Sequence, residues 1–362
     1  MAAAYDPSTD PQRLDGRARQ GGPLTSGLDL AAIRAAADRI AGHVTQTPLM
    51  TSAELDARLA ATVFAKAECL QRSGAFKARG AFNRLLSLDA AARARGVIAY
   101  SSGNHGAAVS LAGAELGIPV TVVVPTTIAP AKLDRIRGNG AELVFYEADL
   151  DDRSAIAQQI AGDRGLTLVA PYDDHLVMAG QGTLALEMFA DAGDLAVLVV
   201  PIGGGGLIAG VATAAKALDP SVRVVGVEPA DADDTRRSLA AGTRTPLAKP
   251  SRTIADGLRA QAPGELTFPI IRERVVTIVT VSEDEIIDAM RLYESCMNVR
   301  AEPSGAVALA ALIGGGLVDH GILPETRVGV VLSGGNVDAK RFTELTARRP
   351  AATPSASLRA GR

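Results

Sequence analysis

The chain has 362 residues, 47% apolar and 21% charged, with a formal net charge of -3 at pH 7. That length supplies one large or two medium domains with a sizeable core. The charge balance, an aromatic content of 3% and the absence of tryptophan argue against nucleic acid or an anionic membrane as partner. No apolar run is long enough to span a bilayer, and Met1 to Pro7 lacks the basic-then-apolar pattern of a secretory signal. Cys69 and Cys296 form neither a metal-ligand spacing nor a disulfide framework, so a reducing cytoplasm is the expected compartment.

Residues 1–27, rich in Gly, Pro, Arg and Asp, read as a disordered arm. Helical spacing runs from Leu28 to Ile40, with Asp29 near its start. Thr62 to Lys66 reads as a short strand and Ala78 to Leu86 as a helix. From Val97 the rhythm is strand, turn, helix: strands at 97–100, 120–124, 142–145 and 166–169, helices at 107–116, 129–137 and 151–163. A second unit follows, with helices at 182–191, 207–218 and 283–297 and strands at 195–201, 222–227, 275–279 and 328–332; a further helix follows Ala306. This alternation specifies parallel sheets covered on both faces. Residues 346–362 read as a disordered tail. Two α/β domains are expected: a small one over 98–172 and a large one built from 28–97 and 173–345.

Four turns carry the chemistry. Lys77 follows Ser73-Gly74-Ala75-Phe76 and opens a helix beside an aromatic ring. Burial and nearby cations lower an amine's pKa and make it a nucleophile and base, as an imine-forming lysine requires. Gly203-Gly204-Gly205-Gly206 lies between a strand and a helix, where backbone N–H groups converge on an anion such as phosphate. The same segment fits the G-x-G-x-x-A dinucleotide pattern, and Glu228 ends the next strand where a ribose-binding acid belongs, so a nicotinamide oxidoreductase is a rival reading. Ser101-Ser102-Gly103-Asn104-His105-Gly106 suits a substrate carboxylate, with His105 either a base or a structural hydrogen-bonding residue. Ser333-Gly334-Gly335-Asn336 ends the last strand. Strand ends in open α/β sheets converge on one crevice. A dehydrogenase explains one of these turns, and a pyridoxal phosphate site explains all of them.

With Ala179-Gly-Gln-Gly-Thr183 and Glu302-Pro-Ser-Gly-Ala306, six motifs stand in the same order as in one family. The chain resembles, from about Leu28 to Phe342, the serine/threonine dehydratase and serine racemase family of fold type II (tryptophan synthase β-like) pyridoxal phosphate enzymes. The resemblance implies that Lys77 carries the cofactor and acts as base. Phe76 and Asn104 flank the ring, Asn104 bonding its 3-hydroxyl. Gly203 to Gly206 hold the phosphate, Glu302 lies in the cofactor site and Ser333 meets the pyridine nitrogen. A neutral hydroxyl there delocalises the carbanion less than a carboxylate does, favouring prompt loss of a β-leaving group. Ser101, Ser102, Asn104 and His105 surround the substrate carboxylate. The implied reaction is elimination from L-threonine or L-serine to a 2-keto acid and ammonia.

Other members of the family suggest alternatives. A serine at position 102 serves racemases as the second acid/base. The acidic loop Glu228-Pro-Ala-Asp-Ala232-Asp-Asp234 resembles a divalent-metal loop, with Glu228, Asp234 and the Ala232 carbonyl as ligands for Mg²⁺ (or Ca²⁺ or Mn²⁺); by spacing alone it is a solvated turn. Arg300 and Arg153 are candidates for a second substrate carboxylate, which makes 3-hydroxyaspartate an alternative substrate. Tyr172 sits in a cofactor-side loop that varies between branches. The resemblance also implies a homodimer. No regulatory domain is expected after Phe342, so feedback control is not.

Overall fold

A computed structural model describes residues 27–101, 103–128, 130–147, 152–314, 317 and 326–347. Most of the arm and tail expected at the two ends, 1–26 and 348–362, and also Ser102, lie outside the described residues. The strands are β1 (Leu49–Met50), β2 (Thr62–Ala67), β3 (Val97–Tyr100), β4 (Val120–Pro125), β5 (Glu142–Tyr146), β6 (Thr167–Leu168), β7 (Val197–Pro201), β8 (Arg223–Pro229), β9 (Thr277–Val281) and β10 (Arg327–Leu332). They form a six-stranded sheet, β1-β2-β10-β7-β8-β9, and a four-stranded one, β5-β4-β3-β6. All pairings are parallel except β1 with β2. β7 is buried along its whole length, as a strand covered on both faces must be.

Helices Glu283–Met297 and Pro303–Ile313 close one apolar layer over the larger sheet. Helices Leu30–Ile40, His175–Ala192 and Gly206–Leu218 close the other. Helix Lys77–Leu86 instead packs Ala78, Ala81, Phe82 and Leu85 into the core of the smaller sheet. The lysine-bearing segment therefore joins the two sheets.

The helix expected to begin at Gly182 begins at His175. Asp174 caps it, accepting from the amides of Leu176 and Val177 at 2.7 and 3.0 Å. Its glycines are contact points rather than breaks: a Cβ at Gly180 would lie 2.6 Å from the Arg79 carbonyl oxygen. The helix expected after Ala306 starts at Pro303, a residue preorganised for the first helical position. The last helix, Ala339–Thr346, reaches the first residue of the expected tail. Among the described residues no helix is long and apolar enough to cross a membrane.

Candidate active site

Helix Lys77–Leu86 begins at Lys77 because Ser73 to Phe76 form a turn stitched to the end of β10. Phe76 N–H donates to the Ser333 carbonyl at 3.0 Å, and Gly335 N–H donates to the Gly74 carbonyl at 2.9 Å. Gly74 has φ +74°, a left-handed conformation that glycine adopts without strain. The Lys77 amine donates to the Pro171 carbonyl at 2.5 Å and lies 5.0 Å from the Phe76 ring centre. Burial pushes its pKa down to about 8.

Across the same cavity Gly203 to Gly206 lead from β7 into helix Gly206–Leu218. Gly205 has φ +93° and the helix start has no side-chain cap, so its first amides are free for an anion. The cradle is narrow: a Cβ at Gly204 would lie 2.4 Å from the Tyr172 ring and one at Gly206 2.8 Å from its Cα. Tyr172 is the roof of the glycine turn, and burial pushes its phenol up to about 12.

Ser101, Asn104, Glu302, Ser304 and Ser333 line the cavity with Lys77 and Phe76. Ser101 Oγ accepts from Gly103 N–H at 3.1 Å. Asn104 Nδ2 donates to Glu302 Oε1 at 2.5 Å, and Ser333 Oγ donates to the Ser304 carbonyl at 3.3 Å. Burial first, and the charge of Asp256 second, push the Glu302 carboxyl up to about 7. His105 is buried, its Nε2 at 2.9 Å from the Val169 carbonyl. Burial, and then the Lys77 charge, push its pKa down to about 3. Burial and the Val169 contact favour the structural, hydrogen-bonding reading of His105 over the base reading. His105 borders the cavity in the first turn of helix Asn104–Leu116.

Besides Lys77, the cationic side chains of Lys132, Arg153 and Arg259 line the same cavity. Lys132 pairs with Asp256, and the Arg259 Nε donates to the Thr253 carbonyl at 2.9 Å. Arg153 has no hydrogen-bond or ion-pair partner among the described residues. Arg300, a candidate for the second carboxylate only if it faced the crevice, does not line the cavity. It lies over the Phe342 ring, 5.4 Å from its centre, and 3.5 Å from Glu294, with its side chain 54% exposed. Arg259 was not legible as a site residue, because nothing local in Gly257-Leu258-Arg259 distinguishes it from a surface arginine.

Residues 40–334 match the family described as Pyridoxal-phosphate dependent enzyme. The chain belongs to that family. It is 44% identical over 311 residues to serine racemase of Arabidopsis thaliana, covering 86% of this chain and 93% of the relative. It is also 44% identical over 310 residues to L-threo-3-hydroxyaspartate ammonia-lyase of a Pseudomonas species, covering 86% and 96%. The crystal structure of the T.th. threonine deaminase superposes with a TM-score of 0.79 at 44% identity, covering 86% of this chain and 99% of that one. The architecture is that of fold type II pyridoxal phosphate enzymes, within a group of ammonia-lyases and racemases.

The residues present fit the cofactor. An uncapped helix start built of glycine suits a phosphate, and the amine of lowered pKa that an imine needs borders the same cavity. The dinucleotide reading loses its ribose partner. Glu228 is fully buried outside that cavity, its carboxylate accepting from Thr235 N–H and Arg236 N–H, each at 2.9 Å.

The acidic loop is a folded pocket rather than a solvated turn. Glu228, Ala232 and Asp234 are all buried, and neither carboxylate oxygen of Asp234 has a hydrogen-bond partner. Burial, and for Glu228 also the charge of Asp234, push these carboxyls up to about 8 and about 7 respectively. Two buried acids, one of them without partners, fit a hard cation that takes oxygen ligands. Among the described residues no group of three acidic, histidine or cysteine side chains surrounds a common point, so the two acids would share such a cation with other oxygen ligands such as carbonyls and water.

Proposed function

We propose that the chain is a pyridoxal-phosphate-dependent ammonia-lyase that eliminates water and ammonia from a β-hydroxy amino acid, with L-threonine and L-serine as substrates. The observation that carries the reading is one cavity bordered by the Lys77 amine, the glycine turn and a neutral serine at the end of β10. Bound pyridoxal phosphate supplies the electron sink that acidifies the substrate's Cα–H. Gly203 to Gly206 hold its phosphate through backbone amides. Phe76 would pack on the ring and Asn104 would donate to its oxygen, while Glu302 holds the Asn104 amide. The Ser333 hydroxyl would meet the ring nitrogen without giving it a full counter-charge. Ser101 and the first turn of helix Asn104–Leu116 receive the substrate carboxylate. The Lys77 amine, at its lowered pKa, takes the Cα proton. Net, the Cα–H, Cβ–O and Cα–N bonds break; the water lost is matched by the water that hydrolyses the released enamine and supplies the keto oxygen, so the 2-keto acid and ammonia leave with no net oxidation.

Two further readings rest on specific observations. Arg153, a cavity-lining cation with no hydrogen-bond or ion-pair partner among the described residues, favours a substrate with a second carboxylate such as 3-hydroxyaspartate. Ser102, beside the residues of the carboxylate turn, favours a serine racemase activity, as does the likeness to the Arabidopsis enzyme. A keto-acid assay over the stereoisomers of serine, threonine and 3-hydroxyaspartate separates the three. Threonine and serine turnover well above hydroxyaspartate is the expected result; the reverse order would favour the Arg153 reading. In that case Arg153→Ala lowers kcat/KM for hydroxyaspartate by about 10- to 100-fold, the loss of a charged hydrogen bond, and leaves threonine much less affected. Ser102→Ala is expected to retain elimination and to abolish any racemisation, read by chiral analysis of residual serine.

We also propose that Glu228, Asp234 and the Ala232 carbonyl hold Mg²⁺ (or Ca²⁺ or Mn²⁺). Millimolar Mg²⁺ is then expected to raise the melting temperature of chelator-treated protein by a few degrees, because a ligand that binds only the folded state stabilises it. Asp234→Asn removes that rise. An equal rise in the variant would remove the site.

A further inference from the structure

The motif Ser333-Gly334-Gly335-Asn336 is absorbed by the proposed function only at Ser333. Asn336, three residues on, is half-buried where the two sheets meet. Its Nδ2 donates twice, to the Ser73 carbonyl at 2.8 Å and to Asn104 Oδ1 at 2.8 Å. Asn104 in turn donates from Nδ2 to Glu302 Oε1 at 2.5 Å. The result is one directed chain: Asn336 holds Ser73 and Asn104, and Asn104 holds Glu302. Asn104 follows β3 of the smaller sheet, whereas Asn336 and Glu302 belong to segments around β10 of the larger one.

A carboxamide has two donor hydrogens on nitrogen and an acceptor oxygen. Both hydrogens of Asn336 Nδ2 are used. The reversed Asn104 amide would set two donors face to face at Asn336 and an acceptor against Glu302. The chain therefore admits one orientation, in which the second hydrogen of Asn104 Nδ2 remains for the cavity that Asn104 lines. Asn336 is also packed against the turn that presents Lys77: a Cβ at Gly74 would lie 2.2 Å from Asn336 Oδ1.

We propose that Asn336 is a positioning residue that fixes the orientation of the Asn104 amide, so that its free hydrogen meets the oxygen of the cofactor ring while the Lys77 turn is held in register with it. The inference rests on the reading that Asn104 donates to that ring oxygen. If so, losing the donor leaves the oxygen's negative charge less well held. The nitrogen joining Lys77 to the cofactor then keeps its proton to higher pH.

The test is the holoenzyme carrying Asn336→Ala, with Asn336→Leu, which keeps the volume without the donors, as the second variant should alanine leave the turn unfolded. Expected are a rise of about half a pH unit or more in the midpoint of the visible band's titration and weakening of cofactor binding by about tenfold in equilibrium dialysis. Asn104→Ala should move the midpoint the same way, and the double variant should move it no further. A lowered melting temperature with an unmoved midpoint, where Asn104→Ala does move it, overturns the role of Asn336 and leaves that of Asn104 standing. A midpoint unmoved in Asn104→Ala overturns both.

Discussion

Lys77→Ala is expected to abolish keto-acid formation, a fall of at least about 10⁴-fold, and to remove the visible absorbance of the purified protein. The size follows from what the proposed function assigns to one side chain: a covalent anchor for the cofactor and the base that takes the Cα proton. The geometry isolates the effect. Among the described residues the amine ends in a single hydrogen bond to a backbone carbonyl, that of Pro171, so its loss breaks no network, and the melting temperatures of the cofactor-free wild type and variant should differ little. Borohydride gives the complementary readout: it should inactivate the wild type and fix the cofactor covalently, and should fix nothing to the variant. An untouched holoenzyme spectrum with surviving turnover would remove the proposed function at its base. The lowered pKa matters to the same argument. At about 8, roughly a tenth of the amine is neutral at pH 7, where an ordinary lysine is almost wholly charged.

The turns that carry this chemistry were legible in the sequence because each is local. Gly203 to Gly206, Ser101 to Gly106 and Ser73 to Lys77 announce their backbone geometry through glycine and small polar residues at a strand-to-helix junction. What the sequence hid depends on contacts between distant segments. Helix His175–Ala192 starts seven residues before the expected Gly182; its glycines permit the close approach of helices Lys77–Leu86 and Gly206–Leu218, which no local pattern announces. Arg300, placed near Glu302 by sequence, is carried away from the cavity to Phe342. Asn336 became visible only through partners 263 and 232 positions away. Burial of charge is the least legible of all, since arginine in a helix looks the same exposed or enclosed, and Arg79 is enclosed.

Arg79, two residues after Lys77, has no exposed surface. Its guanidinium meets Glu68 at two distances of 2.8 Å, Glu187 at 2.6 and 2.8 Å, and Thr183 Oγ1 at 3.1 Å. Lys66, equally buried, meets Glu187 at 2.6 Å and the Thr47 carbonyl at 2.6 Å. The two cations and two carboxylates balance, and the bidentate fork anchors the first turn of the helix that presents Lys77. Burial pushes the Glu68 carboxyl up, but the Arg79 charge, hydrogen bonds from Arg79 and Thr47, and the Lys66 charge outweigh it, and its pKa ends below the ordinary value. Arg79→Leu is therefore expected to destabilise the fold by about 3–5 kcal/mol, the cost of leaving a buried charge unpaired, measured by urea denaturation. Arg79→Lys should rescue little of this, because an ammonium cannot bridge two carboxylates through a planar fork. Replacing Glu68 and Arg79 together by apolar residues should cost less than the sum of the single losses. The pH dependence separates this account from simple overpacking. In the wild type the folded pKa of Glu68 lies below its unfolded one, so its stabilisation is present above the unfolded value and is lost as pH falls through the folded one. In Arg79→Leu burial acts on Glu68 without its main counter-charge, and the stability gap to the wild type should narrow as the pH is lowered. A gap constant with pH would mean that volume, rather than charge, is what Arg79 contributes beneath the lysine helix.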